Sequence, residues 1–143
     1  MKIIKLGIAI LSVGLTCGVF AETTTYRDAQ GRLQGSAKID QNGKTTYRDA
    51  QGRLIGTAQT DRNGKTTYRD AMGRLQGTKT VDRSGRETYR DNLGRVQGTA
   101  QTDRNGKTTY RDALGRVQGS KTVDQHGHAS IRDAKGQLRG TAK

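Results

Sequence analysis

The chain has 143 residues, a formal net charge of +13, no proline and no tryptophan. Only 30% of its residues are hydrophobic and 4% aromatic, which excludes a compact two-layer core of ordinary size. So little apolar content with so much net charge falls in the region associated with disorder, so an ordered chain needs some other organising principle.

Residues 1–21 differ from the rest. Lys2 and Lys5 precede an apolar stretch from Leu6 to Phe20, and Val19-Phe20-Ala21 offers small residues at the cleavage positions. This pattern predicts a secretory signal peptide, too short for a spanning helix, followed by a domain over residues 22–143. Cys17 raises the question of lipid attachment, but Thr16 is a poor fit where a small residue is expected. Cleavage after Ala21 leaves a chain without cysteine, destined for an oxidising compartment yet lacking a disulfide staple. The expected location is periplasmic or extracellular, with no transmembrane segment once the signal is removed.

From residue 22 onward the sequence repeats. Tyr26, Tyr47, Tyr68, Tyr89 and Tyr110 fall every 21 residues, with Ile131 in the sixth place. Asp28, Asp49, Asp70, Asp91, Asp112 and Asp133 follow two residues behind, then two series of glycines, one from Gly31 to Gly136 and one from Gly35 to Gly140. A fixed period of this length marks one supersecondary unit copied into an array. The strict register and the turn signals in every copy argue against disorder.

In the copy from Lys44 to Gly64, Lys44-Thr45-Thr46-Tyr47-Arg48 is β-branched and aromatic and predicts a strand. Asp49-Ala50-Gln51-Gly52 has the chemistry of a turn, and Arg53 to Thr60 reads as a second, longer strand. Asp61-Arg62-Asn63-Gly64 is another turn of the same kind. Six copies predict an all-β array of hairpins with about twelve short antiparallel strands, elongated, solenoid-like or barrel-like, its terminal copies acting as caps. An odd repeat length poses a parity problem, since side chains alternate faces along a strand. Either each copy hides one residue in a bulge or an even-length loop, or successive tyrosines face opposite ways. Gly56 and its equivalents are natural bulge sites. A doubled period is also visible: residues 56–71 and 98–113 nearly coincide, while intervening copies carry Lys79-Thr80-Val81 and Lys121-Thr122-Val123.

The run Asp49-Ala50-Gln51-Gly52-Arg53-Leu54, with Tyr47 two residues ahead of the aspartate, resembles the YD repeat of Rhs-type and teneurin-type proteins. Arg32-Leu33, Arg53-Leu54 and Arg74-Leu75 keep its Gly-Arg-Leu core, whereas Arg95-Val96 and Arg116-Val117 relax it. The family places Tyr directly before Asp; here Arg27, Arg48, Arg69, Arg90, Arg111 and Arg132 stand there. The resemblance implies a β-rich wrapping array, although six copies are too few for the cargo-enclosing shell of larger members. The period, with its Tyr, Asp and Gly, is also similar to choline-binding and glucan-binding repeats, but those box ligands with tryptophan as well as tyrosine.

Sites for chemistry are sparse. His126 and His128 are the only histidines and sit in the last inter-copy turn, where turn variation accounts for them better than metal binding. The carboxylates hold turn positions, and neither a nucleophile triad nor a phosphate loop is present, so the sequence points away from an enzyme and from a cofactor. The basic series is the strongest functional signal. Arg27, Arg48, Arg69, Arg90, Arg111 and Arg132, with Arg32, Arg53, Arg74, Arg95 and Arg116, flank the first turn of successive copies, and Lys44 and Arg62 flank the second. Equivalent positions two strands apart lie roughly 9–10 Å from one another, a pitch suited to forked hydrogen bonds with sulfate, phosphate or carboxylate. The bland reading is that these charges keep the sheet soluble and pair with neighbouring aspartates.

The expected function is therefore a secreted, non-enzymatic module for acidic glycans or other envelope or host-surface polyanions. Lipopolysaccharide phosphates, acidic capsule and host glycosaminoglycans are the candidate ligands. Tyr26, Tyr47, Tyr68, Tyr89 and Tyr110 would add stacking on sugar faces if exposed, or fill the interior if not. A structural, self-assembling surface or matrix component is the alternative, built by pairing of exposed strand edges. Specific nucleic-acid binding is disfavoured by export and by having one tyrosine per copy for stacking.

Overall fold

The computed structural model describes residues 22–143; the expected signal peptide and Cys17 lie outside the described residues. Twelve strands follow in order: β1 (Thr23–Asp28), β2 (Leu33–Ile39), β3 (Lys44–Asp49), β4 (Leu54–Thr60), β5 (Thr66–Asp70), β6 (Leu75–Val81), β7 (Glu87–Asp91), β8 (Val96–Thr102), β9 (Lys107–Asp112), β10 (Val117–Val123), β11 (Ala129–Asp133) and β12 (Leu138–Ala142). Each pairs antiparallel with its sequence neighbours, and β1 pairs with β12, so the meander closes into a barrel. The terminal copies thus bond to each other and do not act as caps.

Two turn types of the same design alternate. At the first, the Gly52 N–H donates to the Asp49 carbonyl at 3.0 Å and the Asp49 N–H to the Arg53 carbonyl at 3.0 Å. Gly52 sits at φ 81°, the left-handed region where a side chain is strained. The second turn repeats this with Gly64 and Asp61.

The parity problem is solved by a bulge. Tyr47 lies opposite Gly56 while Arg48 lies opposite Leu54, which leaves Ile55 as the extra residue. The odd residue is absorbed beside the glycine in each copy, so every tyrosine faces inward. Glycine is required at this point by crowding: a Cβ on Gly56 would lie 2.5 Å from the Arg69 carbonyl oxygen of the next strand.

The same register explains closure. Thr45 lies opposite Ala58, and Ala58 opposite Tyr68, so the pairing climbs by two residues per copy. Over the whole array this stagger equals the number of strands, a combination that tilts strands by roughly 35–45° and allows the sheet to meet itself. The interior is lined by the five tyrosines, of which Tyr110 is half-buried, and by Ala37, Ala58, Ala100, Ala129 and Ala142, which are buried. Leu33, Leu54, Leu75, Val96, Val117 and Leu138 instead lie on the outer face, 38–42% exposed, each paired across its hairpin with an arginine such as Arg48 beside Leu54.

Candidate functional site

Two regions carry chemistry, a rim and a lumen. The rim is built from the first turn of each copy. Asp49 Oδ1 accepts the N–H groups of Gln51 at 3.0 Å and Arg53 at 2.9 Å, and its Oδ2 accepts Arg53 Nε at 2.7 Å. Arg48 Nη1 donates to the Gly52 carbonyl at 2.8 Å, holding the turn from its other side. The Arg–Asp pair recurs at Arg32–Asp28, Arg74–Asp70, Arg95–Asp91 and Arg116–Asp112, all between 2.6 and 2.8 Å. The arginine-to-glycine bond recurs from Arg27, Arg69, Arg90, Arg111 and Arg132.

Both predicted arginine series therefore come together at one end of the barrel. They are partly committed to the turns, as the bland reading expected, yet the side chains of the second series remain 70–76% exposed. Sequence reasoning missed one member. In the sixth copy Gln137 takes the place of the second arginine, and Arg139, at the bulge position, pairs with Asp133 at 2.8 Å. The signal was available, because Arg139 occupies the bulge slot that Gln34, Gln76, Gln97 and Gln118 fill, each reaching the same aspartate oxygen of its own copy. Partial burial pushes the Asp49 carboxyl up, but the bonds from Arg53 and from the Arg53 and Gln51 N–H groups together hold it below its ordinary value. Asp28, Asp70, Asp91, Asp112 and Asp133 are lowered in the same way. At three adjacent turn tips Met72, Leu93 and Leu114 are 80%, 71% and 78% exposed, so the arginine rim has one apolar sector.

The opposite rim carries the inter-copy turns. His126 and His128 lie there with ring centroids 6.4 Å apart, and their backbone N–H groups donate to Asp124 Oδ1, as the turn reading requires. Among the described residues no group of three or more His, Cys, Asp or Glu is placed to hold a metal ion. Nor is any helix among them long and apolar enough to cross a membrane.

The tyrosines are lumenal. Tyr26, Tyr47, Tyr68 and Tyr89 are 4–7% exposed, and Tyr110 is half-buried. Of the two alternatives, stacking on sugar faces or filling the interior, the tyrosines take the second: the bulge turns all five rings inward, away from the arginines' solvent face. Between them lies a cavity of about 540 Å³, whose lining includes Tyr47, Tyr68, Tyr110, Lys79, Lys121 and Glu87. Lys79 Nζ is 3.1 Å from Glu87 Oε1, and the Tyr89 hydroxyl donates to the other oxygen of Glu87. Ile131 fills less of its sector than a tyrosine, and a second cavity of about 310 Å³ lies against it.

Burial pushes the Tyr47 phenol up to about 12, and raises Tyr26, Tyr68, Tyr89 and Tyr110 as well. An alkaline titration followed by phenolate absorbance is therefore expected to show no ionisation around the ordinary value of 10.0 while the barrel is intact. The sign follows from the raised folded value. Stability is fully present below the unfolded phenol's pKa and is lost as pH rises toward the folded one. A phenolate signal centred on the ordinary value, with unchanged circular dichroism, would place the rings outside the barrel.

Residues 48–87 match the family model of the RHS Repeat. No curated protein matches the chain. Among solved structures, the chain is similar to BamB from Moraxella catarrhalis at 10% identity and a TM-score of 0.32, covering 77% of this chain and 56% of that one. It is also similar to the G-box domain of the microcephaly protein CPAP at 16% identity and a TM-score of 0.21, covering 86% and 95%. The chain thus spans just over half the length of the BamB chain it matches. RHS repeats typically occur in extracellular or envelope proteins. Residues 48–87 are thus RHS-type (YD) repeat sequence, and they carry the same Tyr, Asp and Gly series as the copies on either side.

Proposed function

We propose that this barrel is an exported, non-enzymatic binding module that holds an acidic glycan or another envelope polyanion on its arginine rim. The observation that supports the reading is the gathering of both arginine series, with Arg139, at one end of the barrel against only one aspartate per copy. Each guanidinium has further donors beyond the one or two that hold its turn, and a fork of N–H groups matches phosphate, sulfate or carboxylate. A polyanion would meet a closed ring of charge, not a flat ladder. The apolar sector at Met72, Leu93 and Leu114 favours anions carried on a lipid surface, such as lipopolysaccharide phosphates, over a fully hydrated chain. The self-assembly reading loses its premise, because closure of β1 on β12 removes the free edges among the described strands.

The test compares the protein with a variant carrying Gln for Arg48, Arg69, Arg90 and Arg111, on soluble polyanions and on vesicles containing anionic lipid. Glutamine still donates to the turn carbonyl but removes the charge. At about 0.5 kcal/mol for each exposed contact, four lost charges weaken binding on the order of 30-fold, and raised salt weakens the parent protein too. Copy deletion is a poor test of multivalency, since removing a copy opens the ring. Equal binding by both proteins, or none to any anion at low salt, overturns the reading.

A further inference from the structure

The tips of the six arginine-rim turns divide that rim in two. Gln30, Gln51 and Lys135 occupy three adjacent tips of the closed ring, and the exposed Met72, Leu93 and Leu114 occupy the other three. The turn itself does not call for an apolar residue there. In all six, the backbone N–H of the tip residue donates to Oδ1 of the turn aspartate, whatever the side chain. The five inter-copy turns make the same bond, and their tips are Asn42, Asn63, Ser84, Asn105 and His126, all polar. Single exposed apolar side chains are ordinary, but three on consecutive turns form a sector that folding does not explain.

Arginines set the chemistry around each apolar tip. Arg69 Nη1 donates to the Gly73 carbonyl on one side of the Met72 turn, and Arg74 Nε donates to Asp70 on the other, at 2.9 and 2.7 Å. Arg90 with Arg95, and Arg111 with Arg116, flank Leu93 and Leu114 in the same way. Equivalent tips are two strands apart, roughly 10 Å. Three separate prongs at that spacing make no groove, so a folded partner would need three matched pockets. A bilayer admits each prong independently, and its anionic headgroups complement the guanidiniums beside them.

We propose that the barrel docks rim first on an anionic lipid bilayer. It is tilted so that Met72, Leu93 and Leu114 enter the boundary between headgroups and acyl chains while the Gln30 side stays in water. This docking mode rests on the reading of the arginine rim as an anion-binding surface, and adds to it the carrier of the anions and the orientation of the barrel. The aspartate bonds already fix the backbone of each tip, so insertion orders little that is not ordered beforehand.

The experiment uses residues 22–143, because these alone form the closed barrel. Binding is measured to soluble polyphosphate and to phosphatidylcholine vesicles with and without phosphatidylglycerol. Changing Met72, Leu93 and Leu114 together to Gln, the residue at two other tips, should weaken binding to the anionic vesicles on the order of 100-fold and leave polyphosphate binding unchanged. The Arg48, Arg69, Arg90 and Arg111 to Gln variant should lose both. Tryptophan emission reads the orientation, since the protein contains none of its own. In a Leu93→Trp variant the emission should shift to the blue on anionic vesicles and be quenched by brominated lipid. A Gln30→Trp variant, across the ring from Leu93, should show neither effect. Undiminished vesicle binding by the triple Gln variant, or parent protein that holds polyphosphate but not vesicles, overturns the docking mode and leaves the arginine-rim reading standing. Equal quenching of the two tryptophan variants also overturns it. So does concentration-dependent mass in sedimentation that the triple Gln variant loses, which would assign the tips to pairing between two copies. Undiminished binding of both probes by the arginine variant overturns the rim reading and the docking mode together.

Discussion

Replacing Gly98 with alanine is expected to cost about 3 kcal/mol or more, far beyond the usual effect of a glycine substitution in a strand. The new Cβ would stand 2.3 Å from the Arg111 carbonyl oxygen, 3.4 Å from its carbon and 3.5 Å from the Asp112 Cα. All three atoms are backbone, so no rotamer change relieves the overlap, and β9 would have to move away from β8 at a paired position. Gly94, in the turn just before β8, makes the control. It has φ 82° and nothing within 4 Å of where a methyl would sit, so alanine there carries only the strain of the left-handed conformation, about 1 kcal/mol. Urea unfolding of the two variants checks the difference. Equal midpoints would mean that the strands do not approach as closely at the bulge as the structure shows.

Acid is expected to unfold the barrel over a narrow range of pH. In six copies a rim aspartate accepts two backbone N–H groups, and each pairs with an arginine. At the other rim, Asp82 is lowered by the Ser84 hydroxyl and the Arg86 N–H, and Asp124 chiefly by the N–H of His128. Because each folded value lies below the unfolded one, this stability is fully present above the ordinary carboxylate value of 3.8 and is lost as pH falls through the folded values. The contributions are individually small and exposed, but they are copies of one another and titrate together. Thermal melts should be flat from neutral pH to about pH 5 and fall steeply below pH about 4. Asp112→Asn, which keeps an acceptor for the turn but gives up the Arg116 pair, should have a shallower acid slope. Melts unchanged down to pH about 2 would show that the carboxylates do not hold the turns.

The local structure was legible because its residues have narrow chemistry. Asp49 and Gly52 announce a turn, and Lys44 to Arg48 and Arg53 to Thr60 coincide with β3 and β4 to within a residue. Gly56 was recognisable as a bulge site, and the extra residue is its neighbour Ile55. What the residues do not announce is the direction in which Tyr47 points, since that depends on where the odd residue is absorbed. A barrel stayed one of three open shapes for the same reason, as the stagger that brings β1 to β12 depends on the bulge. Leu54 reads as a core residue by type but lies outside beside Arg48. At the candidate site, the rim arginines were visible in sequence, whereas their bonds to Asp49 and Gly52 depend on turn geometry. Lys79 reads as an outward polar residue until it is seen to occupy the slot of Ala58, and hence the inner face.

The pairing of Tyr26 with Ala142 also governs how the chain acquires its shape. Every other strand pairing joins neighbours in sequence, so hairpins form with short loops and little entropy to overcome. The seam alone unites residues more than a hundred positions apart, through Tyr26–Ala142, Arg27–Thr141 and Asp28–Gly140. Its loop-closure cost grows only slowly with length, yet it falls on one step, after the rest of the sheet has curled. Nucleation can therefore begin in any copy, while completion waits on the first and last together.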